Sequence, residues 1–336
     1  MTGFVYVATV MAPNAVNDAT IDALYDLAIE ALMDDNEPSN EVVLVWAARK
    51  SATIRDLLKS FVLRRKTQGR GCFANYSPPL DVVSTTVVLG DASPGVGAAR
   101  ARELGFCWPG AKMFVREAVG FRVKIADGTF VTDGMLDTTF DSWVTSVLSS
   151  LRPERNPGET SATTQRVFAS LLSYQTGVRS LPKDYYKRAK ARGVMSLRIY
   201  RSAAGQPLRA IQSNVTTSLL EGEKKVNVRR FSFFIQDSLA LITEPFSKLP
   251  LDPATKGDAV AAQSDFLTQL YEDNRCKKPV IDAISGNRNP AYAENGIFII
   301  GHEVEMLPTA DTIVTDSRVG YGVNRVTSTS IESAND

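Results

Sequence analysis

A single histidine, His302, occurs among 336 residues, within the run Ile299-Ile-Gly-His-Glu-Val-Glu-Met. An imidazole titrates near neutrality and is the side chain most often used as a general base. No serine or cysteine motif accompanies this one, and alternation puts His302, Val304 and Met306 on one face of a strand. An ordinary strand residue is the reading that follows. Glu303 and Glu305 share the opposite face, which suits a solvated or partner-facing edge better than an acid–base pair. Cys72, Cys107 and Cys276 are far apart and form no C-x-x-C pair, so with one histidine there is no zinc-ligand set. Asp127, Asp133, Asp137 and Asp141 form an acidic run, but not at calcium-loop spacing. No metal, cofactor or catalytic residue is expected.

Two further patterns invite chemistry. Gly90-Asp-Ala-Ser-Pro-Gly-Val-Gly-Ala-Ala-Arg follows an apolar run and leads into a short helix, as phosphate-binding loops do. A dinucleotide loop needs a third glycine where Arg100 stands, and a Walker loop needs Lys-Ser or Lys-Thr where Val96 and Gly97 stand. A tight turn is the simpler account, and an α/β enzyme with a phosphate site at 90–97 is the alternative kept in view. In the second pattern Lys183, Lys187 and Lys190 fall on one helical face, with Arg188 and Arg192 beside it. Tyr185 and Tyr186 are not spaced as a base-stacking platform. The stripe is a solvated flank or a face complementary to an acidic neighbour.

The elements that must position these residues alternate between strand and helix. Residues 4–10, with Phe4 and Tyr6, predict a first strand. The spacing of Ile21, Leu24, Ala28 and Ala31 predicts a helix, and 42–46 a strand buried on both faces. Helices are expected over 52–63 and 98–104, a strand over 82–89, and extended chain over 113–125. Further helices are expected over 140–151, 164–172 and 182–192, the last ended by Gly193, followed by a strand over 195–200. Long amphipathic helices follow at 226–242 and 259–271. Two strand candidates, 297–306 and 312–323, precede a polar end. The fold class expected is α/β and α+β: a mixed sheet core flanked by helices, with extended terminal strand arms.

Composition excludes several classes. Lys plus Arg number 38 and Asp plus Glu 37, a formal net charge of +1, so no strong field draws the chain to nucleic acid or an anionic membrane. No apolar run reaches a bilayer's thickness, and the amino terminus lacks the basic region of a secretory signal. Scattered cysteines point to folding in a reducing cytoplasm.

The order of segments resembles one family, the sheath proteins of contractile phage tails and related injection machines. The likeness is carried by Val226-Asn-Val-Arg-Arg-Phe-Ser-Phe-Phe-Ile, by Thr243-Glu-Pro-Phe, by Phe266-Leu267, and by the segment from Asn274 to Pro279. Asp133-Gly-Met-Leu-Asp through Leu151-Arg-Pro-Glu-Arg-Asn-Pro-Gly, and Lys190-Ala-Arg-Gly-Val-Met-Ser-Leu, extend it upstream. The likeness covers residues 113–325; before them it rests on the α/β pattern. The family's long amino-terminal arm is missing or shortened here, and no peripheral insertion domain is evident.

The resemblance implies four parts: an N-terminal α/β part over 1–112, a continuation of the core over 113–193, a C-terminal sheath-like domain over 194–327, and a flexible tail over 328–336. It implies a non-enzymatic subunit that stacks in six-fold rings around a tail tube and contracts to drive it through the host envelope; the first alternative is another self-assembling virion or tail protein, ahead of the α/β enzyme. The implied partners are further copies of itself, the tube protein, and the baseplate and tail terminator proteins, with neither nucleic acid nor membrane insertion. The implied location is the virion tail, after assembly in the host cytoplasm. Strand arms carrying Phe4, Tyr6, Val314, Val319, Tyr321 and Val323 would join neighbouring copies. Lys183, Lys187, Lys190, Arg229 and Arg230 would contact the tube or a neighbour. Arginines opening a helix oppose its dipole, so a carboxylate partner is expected for Arg229 or Arg230.

Overall fold

The computed structural model describes residues 18–32, 44–67, 71–116, 123–124, 130–131, 133–178, 181–202, 205–220, 224–288, 292, 294–307, 315–318 and 325–328. By its internal contacts the chain divides into two compact units, Met1–Arg230 with Asp311–Asp336, and Phe231–Ala310.

The first unit opens with α1 (Asp18–Ala31), β1 (Leu44–Trp46), α2 (Ala52–Thr67), β2 (Phe73–Tyr76), the single turn α3 (Thr85–Val88) and β3 (Leu104–Cys107). After them come β4 (Ala111–Arg116), the two-residue strands β5 (Val123–Lys124) and β6 (Phe130–Val131), and β7 (Asp133–Thr138). The unit continues with α4 (Phe140–Ser150), α5 (Ala162–Val167), β8 (Leu171–Tyr174), α6 (Lys183–Arg192), β9 (Val194–Met195), β10 (Leu197–Arg201) and β11 (Pro207–Ile211).

Its centre is a parallel sheet in the order β1-β2-β3-β9. On one face Val45, Ala74, Tyr76, Leu104, Phe106 and Val194 pack with Ile54, Leu58, Phe61 and Val62 of α2 and with Tyr185 and Ala189 of α6. Each fully buried large apolar side chain of this kind contributes about 1.5–3 kcal/mol. On the other face the buried Asn75 donates from Nδ2 to the Thr145 hydroxyl of α4 at 2.9 Å. A second, antiparallel sheet runs β7-β4-β8.

Several segments fold otherwise than their sequence patterns predict. Residues 82–89 do not form a strand. Val83 and Val87 are exposed, and the sheet positions belong to β2 and β3, four wholly buried residues each. Residues 98–104 are not a helix, because a 3-10 turn over Val96–Ala99 gives way to β3. The helix expected over 164–172 stops at Val167, and Leu171–Tyr174 pairs with β4. Strand β1 is not buried on both faces: Trp46 is 44% exposed. Helix α6 ends as expected, with Gly193 at φ +83°, a left-handed conformation that costs a glycine nothing.

The long helix α7 (Val226–Thr243) gives its first residues to the first unit and the remainder, from Phe231, to the second. It ends at Glu244-Pro245, since proline cannot continue a helix. The second unit continues with α8 (Pro253–Glu272), β12 (Val280–Asp282) and β13 (Gly301–Glu303). Asp252 caps α8 by accepting from the Thr255 N–H at 2.7 Å, with Pro253 in the first turn. Asn274, at φ +56°, closes the far end. Its N–H donates to the Tyr271 carbonyl and the Arg275 N–H to the Leu270 carbonyl, the paired bonds of a left-handed helix terminus. The core of this unit joins Phe231, Ile235 and Leu239 of α7 with Leu267 and Leu270 of α8, and Ile281, Val304 and Met306 lie against it. Last, β14 (Thr315–Arg318) pairs antiparallel with β15 (Arg325–Ser328), so paired strand reaches one residue into the stretch read as a flexible tail.

Candidate assembly surfaces

The positions with possible chemistry are filled by the chain itself. In the Gly90–Gly97 loop the Gly95 N–H donates to the Ala92 carbonyl, Gly97 to Gly90, and Ala98 to Gly95. An anion cradle needs such N–H groups free and convergent; here they close the turn. Doubly wound enzymes bind ligands beyond the carboxyl ends of their parallel strands. At that end, just after β1, the Lys50 ammonium meets the Asp141 carboxylate and the Ala47 carbonyl, both side chains buried. The Asp141 N–H donates to the Ser77 hydroxyl, just after β2, at 3.0 Å. This ion pair is buried beyond the carboxyl ends of β1 and β2. His302 lies half-buried on β13 with Nε2 against the Gln263 amide oxygen at 2.5 Å, and burial lowers its pKa. Among the described residues no three metal-ligating side chains gather, and no helix is long and apolar enough to cross a membrane.

The charged candidates separate into two kinds. On α6, Lys183 and Lys187 are exposed and Lys190 is half-buried, while Tyr185 and Tyr186 point into the core. Arg188 pairs with Asp184 one turn earlier at 2.8 Å. Arg229 and Arg230 instead turn inward. Arg229 meets the buried Glu103 at 3.3 Å, the carboxylate partner expected of an arginine at a helix start. Arg230 donates to the carbonyls of Leu148 and Leu151, where the negative end of α4's dipole lies. Burial pulls its pKa down to about 10, so it stays charged at neutral pH. These two arginines hold the fold together, and the basic surface turned to solvent is that of α6.

The second unit carries the other surface. Its sheet has two strands, with Val280 opposite Glu303, Ile281 opposite His302, and Asp282 opposite Gly301. Ile281 and His302 face the helices; Val280 and Glu303 face out, Val280 at 58% exposure. Near the ends of the ribbon Ile284 is 75% exposed, and Ile297 and Leu307 are exposed as well. Two strands over two helices make a thin layer, since isolated two-stranded ribbons are marginal in water, and each outer edge offers main-chain donors and acceptors.

No protein-family model and no curated protein matches the sequence. Solved structures do match the fold. A chain of the six-fold symmetrised cryo-EM structure of the anti-feeding prophage baseplate aligns with TM-score 0.64 at 13% identity, over 90% of this chain and 74% of that one. The contracted sheath complex of PVC, an extracellular contractile injection system, aligns with TM-score 0.64 at 13% identity, over 89% and 75%. The sheath tail protein of Desulfitobacterium hafniense aligns with TM-score 0.54 at 10% identity, over 80% and 54%.

The chain has the sheath fold. The mixed α/β class follows with it, as the order of segments implied. Of the residues singled out in the sequence, Lys183, Lys187 and Lys190 lie together on α6, and Arg229 and Arg230 together at the start of α7. Phe4, Tyr6, Val314, Val319, Tyr321 and Val323 lie outside the described residues. Within the sheath fold the surface that sequence reasoning missed is β12. Val280-Ile-Asp is a β-favouring run between Pro279 and Ala283, too short to show a period.

Proposed function

We propose that this chain is the structural subunit of a contractile sheath, built from copies of itself in stacked six-fold rings around a tube and contracting to drive that tube through a cell envelope. The observation that carries the proposal is the sheath fold, shared with assemblies named as contracted sheaths. The open ribbon β12–β13 supports it, because an extended segment of a neighbour adds main-chain hydrogen bonds at such an edge while alternate side chains set the specificity. The terminal segments around Phe4 and Tyr6 and from Val314 to Val323 are the proposed donors. The basic face of α6 is proposed to meet the tube or a neighbouring copy. A charged contact of that kind forms and breaks more readily than an apolar one, as contraction between two packings requires. The baseplate and tail terminator proteins are the partners at the two ends, and the finished protein belongs to a phage or phage-like particle assembled in the cytoplasm.

Negative-stain electron microscopy of the purified, concentrated protein tests this. Six-fold rings or hollow striated tubes are expected. A monomer that stays dispersed at every concentration and salt overturns it, and sends attention to another kind of tail component.

A further inference from the structure

Two ribbons of this chain, β10–β11 and β12–β13, treat their outer edges in opposite ways. In β10–β11 the Gln212 N–H donates to the Ser196 carbonyl and the Ser202 N–H to the Gln206 carbonyl. Hydrogen-bonded pairs alternate along an antiparallel ladder. In the register Leu197↔Ile211 through Arg201↔Pro207, the groups turned outward therefore belong to Leu197, Ile199 and Arg201 on one strand and to Pro207, Arg209 and Ile211 on the other.

Side chains meet those same groups. Gln165 of α5 donates Nε2–H to the Arg209 carbonyl at 2.7 Å and accepts the Arg209 N–H at 3.3 Å, the pair of bonds an added strand would make. The Ile199 N–H donates to the Tyr174 hydroxyl at 3.2 Å, and the Tyr186 hydroxyl reaches the Leu197 carbonyl at 3.5 Å. Gly158 covers the end of β11 so closely that a Cβ there would stand 2.6 Å from the Ile211 carbonyl oxygen. On β12–β13, among the described residues, no side chain bonds the main chain of Val280–Asp282 or Gly301–Glu303.

We propose that Gln165 and Tyr174 are edge locks. They occupy the Arg209 N–H and carbonyl and the Ile199 N–H, so that, of these two ribbons, a strand offered by a second copy of this chain is accepted at β12–β13. The proposal rests on the strand-exchange reading above and deepens it. A polymer joined by strand addition gains specificity from each edge closed to the incoming strand, because a further open edge can link copies in the wrong register. The locks also explain why an amide and a phenol, each aimed at a strand edge, are placed beside a hairpin that already has its own ladder.

The test uses the full chain in dilute solution and a synthetic peptide of its residues 2–10, read by amide hydrogen exchange. With Gln165→Leu and Tyr174→Phe combined, the peptide is expected to slow exchange at Ile199 and Arg209 by about tenfold or more; in the unaltered protein it leaves both unchanged. Each single substitution removes polar groups with little change of bulk and frees one edge, so Gln165→Leu predicts protection on β11 only and Tyr174→Phe on β10 only. These single variants decide the question if the double variant does not fold. Folded variants in which the peptide never protects 197–211 overturn the locks. The effect of the peptide on Val280–Asp282 and Gly301–Glu303 in the unaltered protein judges the strand-exchange reading separately.

Discussion

Lys50 and Asp141 form a buried ion pair beyond the carboxyl end of β1 in the first unit. Their side chains are 7% and 0% exposed, so neither charge is solvated, and each depends on the other. Asp141 also accepts from the Ser142 N–H at 3.1 Å and lies in the first turn of α4, where a carboxylate is favoured by the helix dipole. Removing one member of a buried pair leaves an uncompensated charge and costs about 3–5 kcal/mol. Lys50→Met is expected to fall near the lower end of that range, since the helix terminus still serves Asp141. Adding Asp141→Leu should recover much of the loss, because a buried pair replaced by apolar groups is often neutral. Urea unfolding midpoints of the single and double variants check this, and a single variant as stable as the parent contradicts it.

At the scale of elements, His302 fastens β13 to α8 through Gln263. Burial disfavours the charged ring, so the folded-state pKa lies below the ordinary 6.5. Between those two values the unfolded chain binds more protons than the folded one, so stability is full above pH 6.5 and falls as pH drops below it. Asp282 adds nothing in that window: hydrogen bonds from the Ser285 side chain and from the Ser285 and Ile284 N–H groups hold its pKa down to about 2. With one imidazole in the chain, its ring protons can be followed by NMR without assignment. A midpoint below 6.5 is expected, with a thermal transition lower at pH 5 than at pH 7 and the difference narrowed in His302→Gln. A midpoint at or above 6.5 refutes the account.

Elements also explain what the sequence made visible. The helices α1, α2, α4, α6, α7 and α8 are legible because each is long enough to show its period, as with Phe231, Ile235 and Leu239. Helix ends are legible where chemistry marks them, at Gly193 and before Pro245, whereas the start of α8 at Asp252-Pro253 is missed, because the apolar period becomes regular only from Ala259. Strands β2, β3 and β12 are not legible, since three or four residues buried or paired by partners far along the chain show no alternation of their own. Residues 82–89 misled for the same reason in reverse: a β-branched run joins a sheet only where a neighbouring strand has room for it. The phosphate-loop question likewise could not be closed from Gly90–Gly97 alone, because what decides it is where three N–H groups point.

For the whole molecule, near-neutral net charge conceals a basic face on α6. Reversing it with Lys183→Glu and Lys187→Glu together should leave the fold intact, because both side chains are exposed and the buried residues of α6 are Tyr185, Tyr186 and Ala189. Assembly is expected to weaken, with its dependence on salt reduced; rings or tubes formed as readily as by the parent would remove α6 from the interface. Sedimentation of the two proteins at matched concentrations across a salt series makes the measurement.

At the thin ribbon of the second unit, an added strand would pair through the main chain. A joint made by pairing main chains asks very little of the side chains along it, for every residue except proline brings the same donor and the same acceptor. Substitutions can then accumulate at such a joint on both sides without compensating changes, as they cannot where side chains interlock. On the strand-exchange proposal, a subunit joined to its neighbours in this way could change in sequence along the joint while keeping the pairing.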